Sequence, residues 1–302
     1  MRKKSHKLRG IVSCAVFAVA TIIGGAAYEC KSDSAVAPRL ENKAEEENAK
    51  ASSEISMRKA PERCAERKNT QSARKIEIPA KFHATPERIL KRKAYTVSFN
   101  RETNQPNWVA WCLEDYETTG NARRSDEFLA DPEVPEPHQV ETGDYRSSGY
   151  DRGHMAPAAD MKFSAQAMKE CFYMSNICPQ THELNAGAWA KLENACRRWA
   201  GKYGKVYIVC GPIFRGTKHK HIGSRLTVTV PEAFFKCIYA EPNGKPQAIG
   251  YVMNNSTAKQ NMNSAAMSVD DVEEITGMDF FCNLPDKIEK QVESTFSLKS
   301  WQ

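Results

Sequence analysis

An acid, a guanidinium and an imidazole stand close together in the stretch SGYDRGHMAPAADM, residues 148–161. Asp151, Arg152 and His154 lie within four positions, and Gly153 between them permits an unusual backbone. A neutral imidazole can take a proton from water, and a guanidinium holds phosphate oxygens through its planar fork. The stretch therefore predicts phosphodiester chemistry. The alternative is a turn with a surface ion pair between Asp151 and Arg152.

A second stretch, residues 175–199, reads SNICPQTHELNAGAWAKLENACRRW and offers oxygen ligands. Asn176 and Asn185 carry amide carbonyls, and Glu193 follows Asn185 by eight residues, about two helical turns. Hard oxygen ligands and water suit Mg²⁺, which needs few protein ligands. The alternative is that Asn185 caps a helix and Glu193 pairs with Arg197 four positions later.

Strands and helices that position these stretches are predicted from residue type and periodicity. Apolar residues at helical spacing predict a helix over residues 188–199, and Ser268 with an acidic turn after it predicts the start of another. Residues 117–142, rich in Pro, Asp and Glu, are predicted as a loop. Mixed strands and helices predict an α+β fold around an antiparallel or mixed sheet. Aromatic and β-branched runs predict strands at residues 94–99, 108–113, 205–214, 226–230, 233–239 and 247–253.

Composition and charge narrow the class of protein. The chain has 302 residues, 41% hydrophobic and 26% charged, which excludes collagen-like, repeat and polytopic membrane proteins. The net charge of +6 is concentrated at the start, because without residues 1–27 the chain holds 38 basic and 37 acidic side chains. A polyanion site must therefore be a local patch. Two basic clusters are candidates, with solvated faces as the alternative: Arg197, Arg198, Lys202 and Lys205, and Arg215, Lys218, Lys220 and Arg225.

The N-terminus has the layout of a secretory leader. A basic start is followed by 17 uncharged residues, 11–27, that end in small side chains. We expect cleavage of residues 1–27, with a retained membrane anchor as the alternative. Residues 28–75, rich in Lys, Glu, Ala and Ser, lack the apolar surface to fold and are predicted as a disordered tether. The folded domain would span residues 76–302 of an exported protein that is secreted, periplasmic or surface-anchored.

Nine cysteines follow the leader. In an exported chain this number predicts disulfide bonds, with at least one thiol left over. No CxxC pair or Cys/His grouping with zinc spacing occurs in the sequence. The alternative is that Cys196 and Cys210 are buried free thiols that act as small apolar side chains.

Taken together, the two chemical stretches resemble the DNA/RNA non-specific endonuclease family, which includes secreted bacterial nucleases and the mitochondrial endonuclease G group. The shared pattern begins with Asp-Arg-Gly-His and Pro157. It continues as Asn-x-x-Pro-Gln at residues 176–180 and Asn-x-Gly-x-Trp-x-x-Leu-Glu at residues 185–193. The resemblance covers roughly residues 95–285.

This resemblance implies the ββα-metal (His-Me finger) fold, with a central mixed or antiparallel sheet and flanking helices. It implies a hydrolase that cuts DNA and RNA to 5′-phosphate ends with Mg²⁺, for which Mn²⁺ can substitute. Substrates would be held through the phosphate backbone, with little sequence preference. The implied roles are general base for His154, metal ligand for Asn185, water orientation for Glu193, phosphate neutralisation for Arg152 and support by hydrogen bonds for Asn176.

Two rival functions remain open at this point. One is a catalytically silent protein that binds nucleic acid, and the other is a phosphodiesterase of small nucleotides. The expected general base also predicts a pH dependence. Because an unperturbed histidine titrates near pH 6.5, the rate is expected to fall on acidification as His154 gains a proton.

Overall fold

A computed structural model describes residues 75–302, so the predicted leader and all but the last residue of the predicted tether lie outside the described residues. The strands are β1 (Arg88–Lys91), β2 (Thr96–Asn100), β3 (Gln105–Glu114), β4 (Asp151–His154), β5 (Ile177–Gln180), β6 (Lys205–Ile213), β7 (His221–Ile222), β8 (Val228–Thr229), β9 (Ala233–Ala240), β10 (Gln247–Asn254) and β11 (Ala266–Met267). The α-helices are α1 (Ala165–Glu170), α2 (Ala190–Tyr203), α3 (Val269–Thr276) and α4 (Asp286–Glu293). A π-helical turn, Leu184–Trp189, leads directly into α2.

One seven-stranded sheet forms the centre, in the order β1-β2-β3-β6-β9-β10-β11, and every neighbouring pair is antiparallel. Two ribbons lie outside it, β4 with β5 and β7 with β8. The predicted α+β class, with a central sheet and flanking helices, is confirmed.

Both faces of the sheet are covered, as the alternation along β3 shows. Val109 and Trp111 pack into one core, which also contains Leu192 of α2. Trp108 and Ala110 point the other way, into a core shared with residues of α3 and α4. We call these the α2 face and the α3–α4 face. Because helices cover both faces, every residue of the inner strand β9 is buried.

Most predicted elements match observed ones to within a few residues. The helix predicted over residues 188–199 is α2, and the helix expected after Ser268 is α3, with Ser268 as its N-cap. The strand predicted over residues 226–230 shrinks to two residues, because it pairs with the short β7 and not with the central sheet.

The seven cysteines of residues 75–302 are all free thiols. The prediction of disulfide bonds is therefore wrong for this part of the chain, and Cys30 and Cys64 lie outside it. Cys196 and Cys210 are fully buried in the core of the α2 face, as the alternative interpretation expected. They occupy packing positions between apolar side chains.

Candidate active site

The two chemical stretches of the sequence form one two-stranded ribbon. Strand β4 is the DRGH sequence itself, with Asp151 opposite Gln180 and His154 opposite Ile177. Gly153 does not adopt a positive φ, so the unusual backbone that a glycine permits is not used here. A Cβ at this position would lie 2.1 Å from the Gln180 side-chain oxygen, so the glycine instead permits close approach.

Asn176 fixes the end of this ribbon. Its Nδ2 donates to the carbonyls of Ala156 at 2.9 Å and Cys171 at 2.8 Å, and its Oδ1 accepts from the Ala156 N–H at 2.9 Å. The side chain is fully buried, so it cannot touch a substrate. These contacts match the support by hydrogen bonds that the resemblance implies for Asn176.

His154 lies among aromatic rings, its ring centre 4.8 Å from that of Phe172 and 5.3 Å from that of Phe128. Nε2 is buried without a hydrogen-bond partner, which leaves Nδ1 as the ring nitrogen open to water. Burial and then the positive charge of Arg124, with a smaller effect of Arg152, lower the pKa of His154 to about 3. The imidazole is therefore neutral at physiological pH, and the expectation that it titrates near 6.5 is wrong.

Two guanidiniums lie on the same aromatic rings. Cζ of Arg152 is 4.3 Å from the centre of the Phe128 ring, and Cζ of Arg124 is 5.1 Å from that of Phe172. Sequence reasoning predicted Arg152 and missed Arg124, which also pairs with Asp126. The signal was present, because Arg124 belongs to an Arg-Arg pair inside the otherwise acidic stretch 117–142.

The π-helical turn before α2 presents Asn185 to Asp151. Nδ2 of Asn185 and Nδ1 of His182 each lie 2.9 Å from Oδ2 of Asp151. An ionised carboxylate only accepts hydrogen bonds, so the amide nitrogen must face Asp151, and the amide oxygen is left for a cation. Asn185 is not a helix cap, since it lies inside the helical turn, past the N-cap residue Glu183. Asp151 does not form the surface ion pair with Arg152, and its partner is His182.

Glu193 lies in the first turn of α2. No protein donor among residues 75–302 hydrogen-bonds its carboxylate, and burial raises its pKa to about 7, against the opposing charge of Lys236. The pair with Arg197 that the alternative interpretation expected is absent, because Arg197 donates to Asp160 Oδ1 at 2.7 Å. The helix reaches the ribbon through Trp189, whose indole N–H donates to the His154 carbonyl at 3.4 Å.

Lys236 is a fully buried cation beneath this helix, and sequence reasoning missed it. Its Nζ lies 4.4 Å from the centre of the Trp189 ring and 5.0 Å from that of Trp111, without a hydrogen-bond partner. The signal was a lysine in the middle of the apolar strand AFFKCIYA. Its charge helps Glu193 to ionise in spite of burial.

A cavity of about 510 Å³ adjoins the ribbon at the end that carries Asp151 and Gln180. Tyr150 and Thr181, which flank the paired strands, line it together with Lys220 and His221. Of the predicted basic clusters, Lys220 therefore lines a cavity next to the ribbon. Arg225 does not, since its guanidinium donates to Asp144 Oδ2 at 3.0 Å.

Known proteins are similar to this chain in sequence. The profile of the DNA/RNA non-specific endonuclease family matches residues 42–287. Nuclease 1, mitochondrial, of Schizosaccharomyces pombe is 38% identical over 216 residues, which are 66% of this chain and 67% of that protein. Nuclease EXOG, mitochondrial, of Xenopus laevis is 35% identical over 204 residues, 63% of this chain and 57% of that protein.

A solved structure has a similar fold. The crystal structure of a complex between EndoG and EndoGI, described as showing the mechanism of EndoG inhibition, contains a chain with a TM-score of 0.66 and 28% identity. The match covers 76% of this chain and 97% of that one. The expected ββα-metal nuclease architecture is thereby supported by a solved structure with a similar fold.

The predicted export is wrong. The relatives from S. pombe, X. laevis and Saccharomyces cerevisiae are all named as mitochondrial nucleases. The physical reason for the error is that a basic start without acidic residues is common to secretory and mitochondrial leaders. Residues 1–27 themselves lie outside the described residues. Within residues 75–302, no helix is long and apolar enough to cross a bilayer.

Proposed function

The chain belongs to the DNA/RNA non-specific endonuclease family, and on that basis we propose that it hydrolyses phosphodiester bonds of DNA and RNA to leave 5′-phosphate ends. One observation carries the proposal: a neutral imidazole, His154, lies between two aromatic rings that also hold the guanidiniums of Arg124 and Arg152. A protein that only binds nucleic acid has no use for a neutral imidazole base in this position. The silent-binder alternative is therefore disfavoured.

His154 is proposed as the general base. With its proton on Nε2, the ring presents the Nδ1 lone pair to water and takes a proton as the water attacks phosphorus. A pKa of about 3 keeps the ring unprotonated but makes it a weak base. A bound phosphate brings negative charge between Arg124 and Arg152, which offsets their effect and raises the basicity of His154 in the complex.

Asn185 is proposed as the ligand of a divalent cation, Mg²⁺ or Mn²⁺. The residues fit such an ion, because Asp151 holds the Asn185 amide nitrogen and leaves its oxygen free, and because no protein donor among the described residues occupies the Glu193 carboxylate. When bound, the ion supplies positive charge that stabilises the non-bridging and leaving oxygens. Glu193 accepts hydrogen bonds from water at the site and so orients it.

The extent of the active domain is also a proposal. We place it at residues 76–302, with residues 28–75 as a tether, whereas the family profile begins inside that tether at residue 42. The chain spans 57% of the X. laevis relative and 67% of the S. pombe relative. The nuclease activity and its DNA and RNA substrates are therefore proposed from the site residues of this chain and are not carried over from the whole relatives.

Incubation of the purified protein with supercoiled plasmid, with single-stranded RNA and with a chromogenic phosphodiester tests this function. Each substrate is tested with Mg²⁺ and with EDTA. We expect plasmid and RNA cleavage that stops in EDTA and returns with Mg²⁺ or Mn²⁺. Turnover of the small ester alone would support the small-nucleotide phosphodiesterase, and binding of plasmid without cleavage would support the silent protein.

The acid limb of the pH–rate profile is expected to report Glu193. The rate should rise with pH as this carboxyl ionises, at or below its pKa of about 7, since a bound cation favours the charged form. His154, already neutral, contributes no ionisation above about pH 3. This is checked by measuring kcat/KM from pH 5 to 8.5. The profile of Glu193→Gln should lack the acid limb.

The variant Lys236→Met adds a second readout to this profile. Removal of the buried cation is expected to move the limb upward by about 1 pH unit. Lys245→Met, an exposed lysine, should leave the limb where it is in the wild type. An unchanged acid limb in Glu193→Gln would show that another group sets the profile.

A further inference from the structure

Three carboxylates converge on the α3–α4 face, across the sheet from the ribbon. Asp270 and Glu273 are one turn apart on α3, and Glu293 is the last residue of α4. One oxygen from each lies within 4.8 Å of the other two. Ionised carboxylates repel one another at this distance, so the three can be charged together only beside a positive charge.

Glu293 is the member that points to a ligand. Its side chain is only 4% exposed, and its Oε1 is buried without a hydrogen-bond partner. An unpaired carboxylate in such a place is costly. Its position adds to the cost, because the C-terminal end of a helix disfavours negative charge.

Within residues 75–302, neither Glu273 nor Glu293 forms an ion pair with a Lys or Arg side chain. Oε1 of Glu273 accepts a hydrogen bond from the Phe280 N–H at 2.7 Å. Burial, followed by the charge of Glu273 and other carboxylates, raises the pKa of Glu293 to about 10, and burial raises that of Glu273 to about 8.

We propose that Asp270, Glu273 and Glu293 form a site for a divalent cation of the Ca²⁺ type, distinct from the active site. Oxygen ligands about 2.3–2.6 Å from an ion are at most about 5 Å apart, which the 4.8 Å spread allows. The smaller Mg²⁺ needs a tighter cage, with ligands about 2.0–2.1 Å away. The ion joins α3 to the end of α4 and offsets the charge of Glu293.

Calorimetric titration of the full chain with CaCl₂ at pH 7.5 measures the dissociation constant of the ion.

Thermal unfolding of the full chain locates the ion. Calcium at about ten times its dissociation constant should raise the unfolding midpoint by roughly 3–6 °C. Glu293→Gln, which keeps the shape of the side chain, and Glu273→Gln should both abolish the rise. Glu274→Gln, an exposed neighbour on α3, is the matched control and should keep it.

The proposed active-site cation is separated from this one by Asn185→Ala, which should keep the calcium-dependent rise. Nuclease activity of Glu293→Gln in Mg²⁺ should match that of the wild type. The proposal is overturned if calcium leaves the midpoint unchanged, or if the rise survives in both glutamine variants. It is also overturned if the rise is lost in Asn185→Ala, which would assign the ion to the active site.

Discussion

Replacement of His154 by alanine is expected to lower the rate of plasmid cleavage about 10²–10⁴-fold, the usual contribution of a general base. The change removes the Nδ1 lone pair that takes the proton from water. It should leave the fold intact, because Asn176 and the ribbon pairing, and not the imidazole, hold this part of the backbone. Single-turnover cleavage at pH 7.5 measures the loss.

His83→Ala is the matched control, since His83 is exposed and lies in the segment before β1. It should cleave at the wild-type rate. Circular dichroism of both variants should match that of the wild type. A His154→Ala protein that keeps more than about a third of wild-type activity would remove this residue from the mechanism.

The substitution Asn185→Ala should mimic chelation and reduce cleavage at least about 100-fold at millimolar Mg²⁺. The variant lacks the one protein oxygen that we assign to the cation. Asn185→Asp is more informative, because it restores an oxygen but places a second carboxylate against Asp151. We expect partial activity that requires more Mg²⁺ than the wild type.

Asp151→Asn tests the orientation of that amide. The activity of this variant is expected to fall about 10–100-fold, as for other residues that orient a metal ligand. The decrease should appear in the dependence of the rate on Mg²⁺ concentration. Asn263→Ala, an exposed asparagine in a surface turn, should behave as the wild type. Wild-type activity of Asn185→Ala at ordinary Mg²⁺ would contradict the assignment.

Sequence patterns predicted the sheet well because its strands are long and apolar. Strands β6, β9 and β10 are eight or nine residues long and cross a buried sheet, so their composition differs from that of the flanking loops. Helix α4 was missed for the opposite reason. Its eight residues, DKIEKQVE, offer only Ile288 and Val292 as apolar positions, too few to show a helical period.

The site was predictable in its residue types and not in its environment. His154, Arg152, Asn185 and Glu193 could be named from two motifs, because each motif is local in sequence. The pKa of His154 could not be predicted from these motifs, since it depends on Phe172 and Arg124. These side chains come close to the imidazole only in the folded protein. Lys236 acts on Glu193 from a strand 43 positions away, a distance that no local pattern spans.

The free thiols of the core have a consequence for chemical reactivity. Thiols react with oxidants and alkylating agents as thiolates, and burial raises the pKa of Cys171 and Cys196 to about 12 and that of Cys210 to about 11. These side chains stay protonated and enclosed while the domain is folded. Alkylation of these three buried thiols is therefore expected to measure unfolding of the domain.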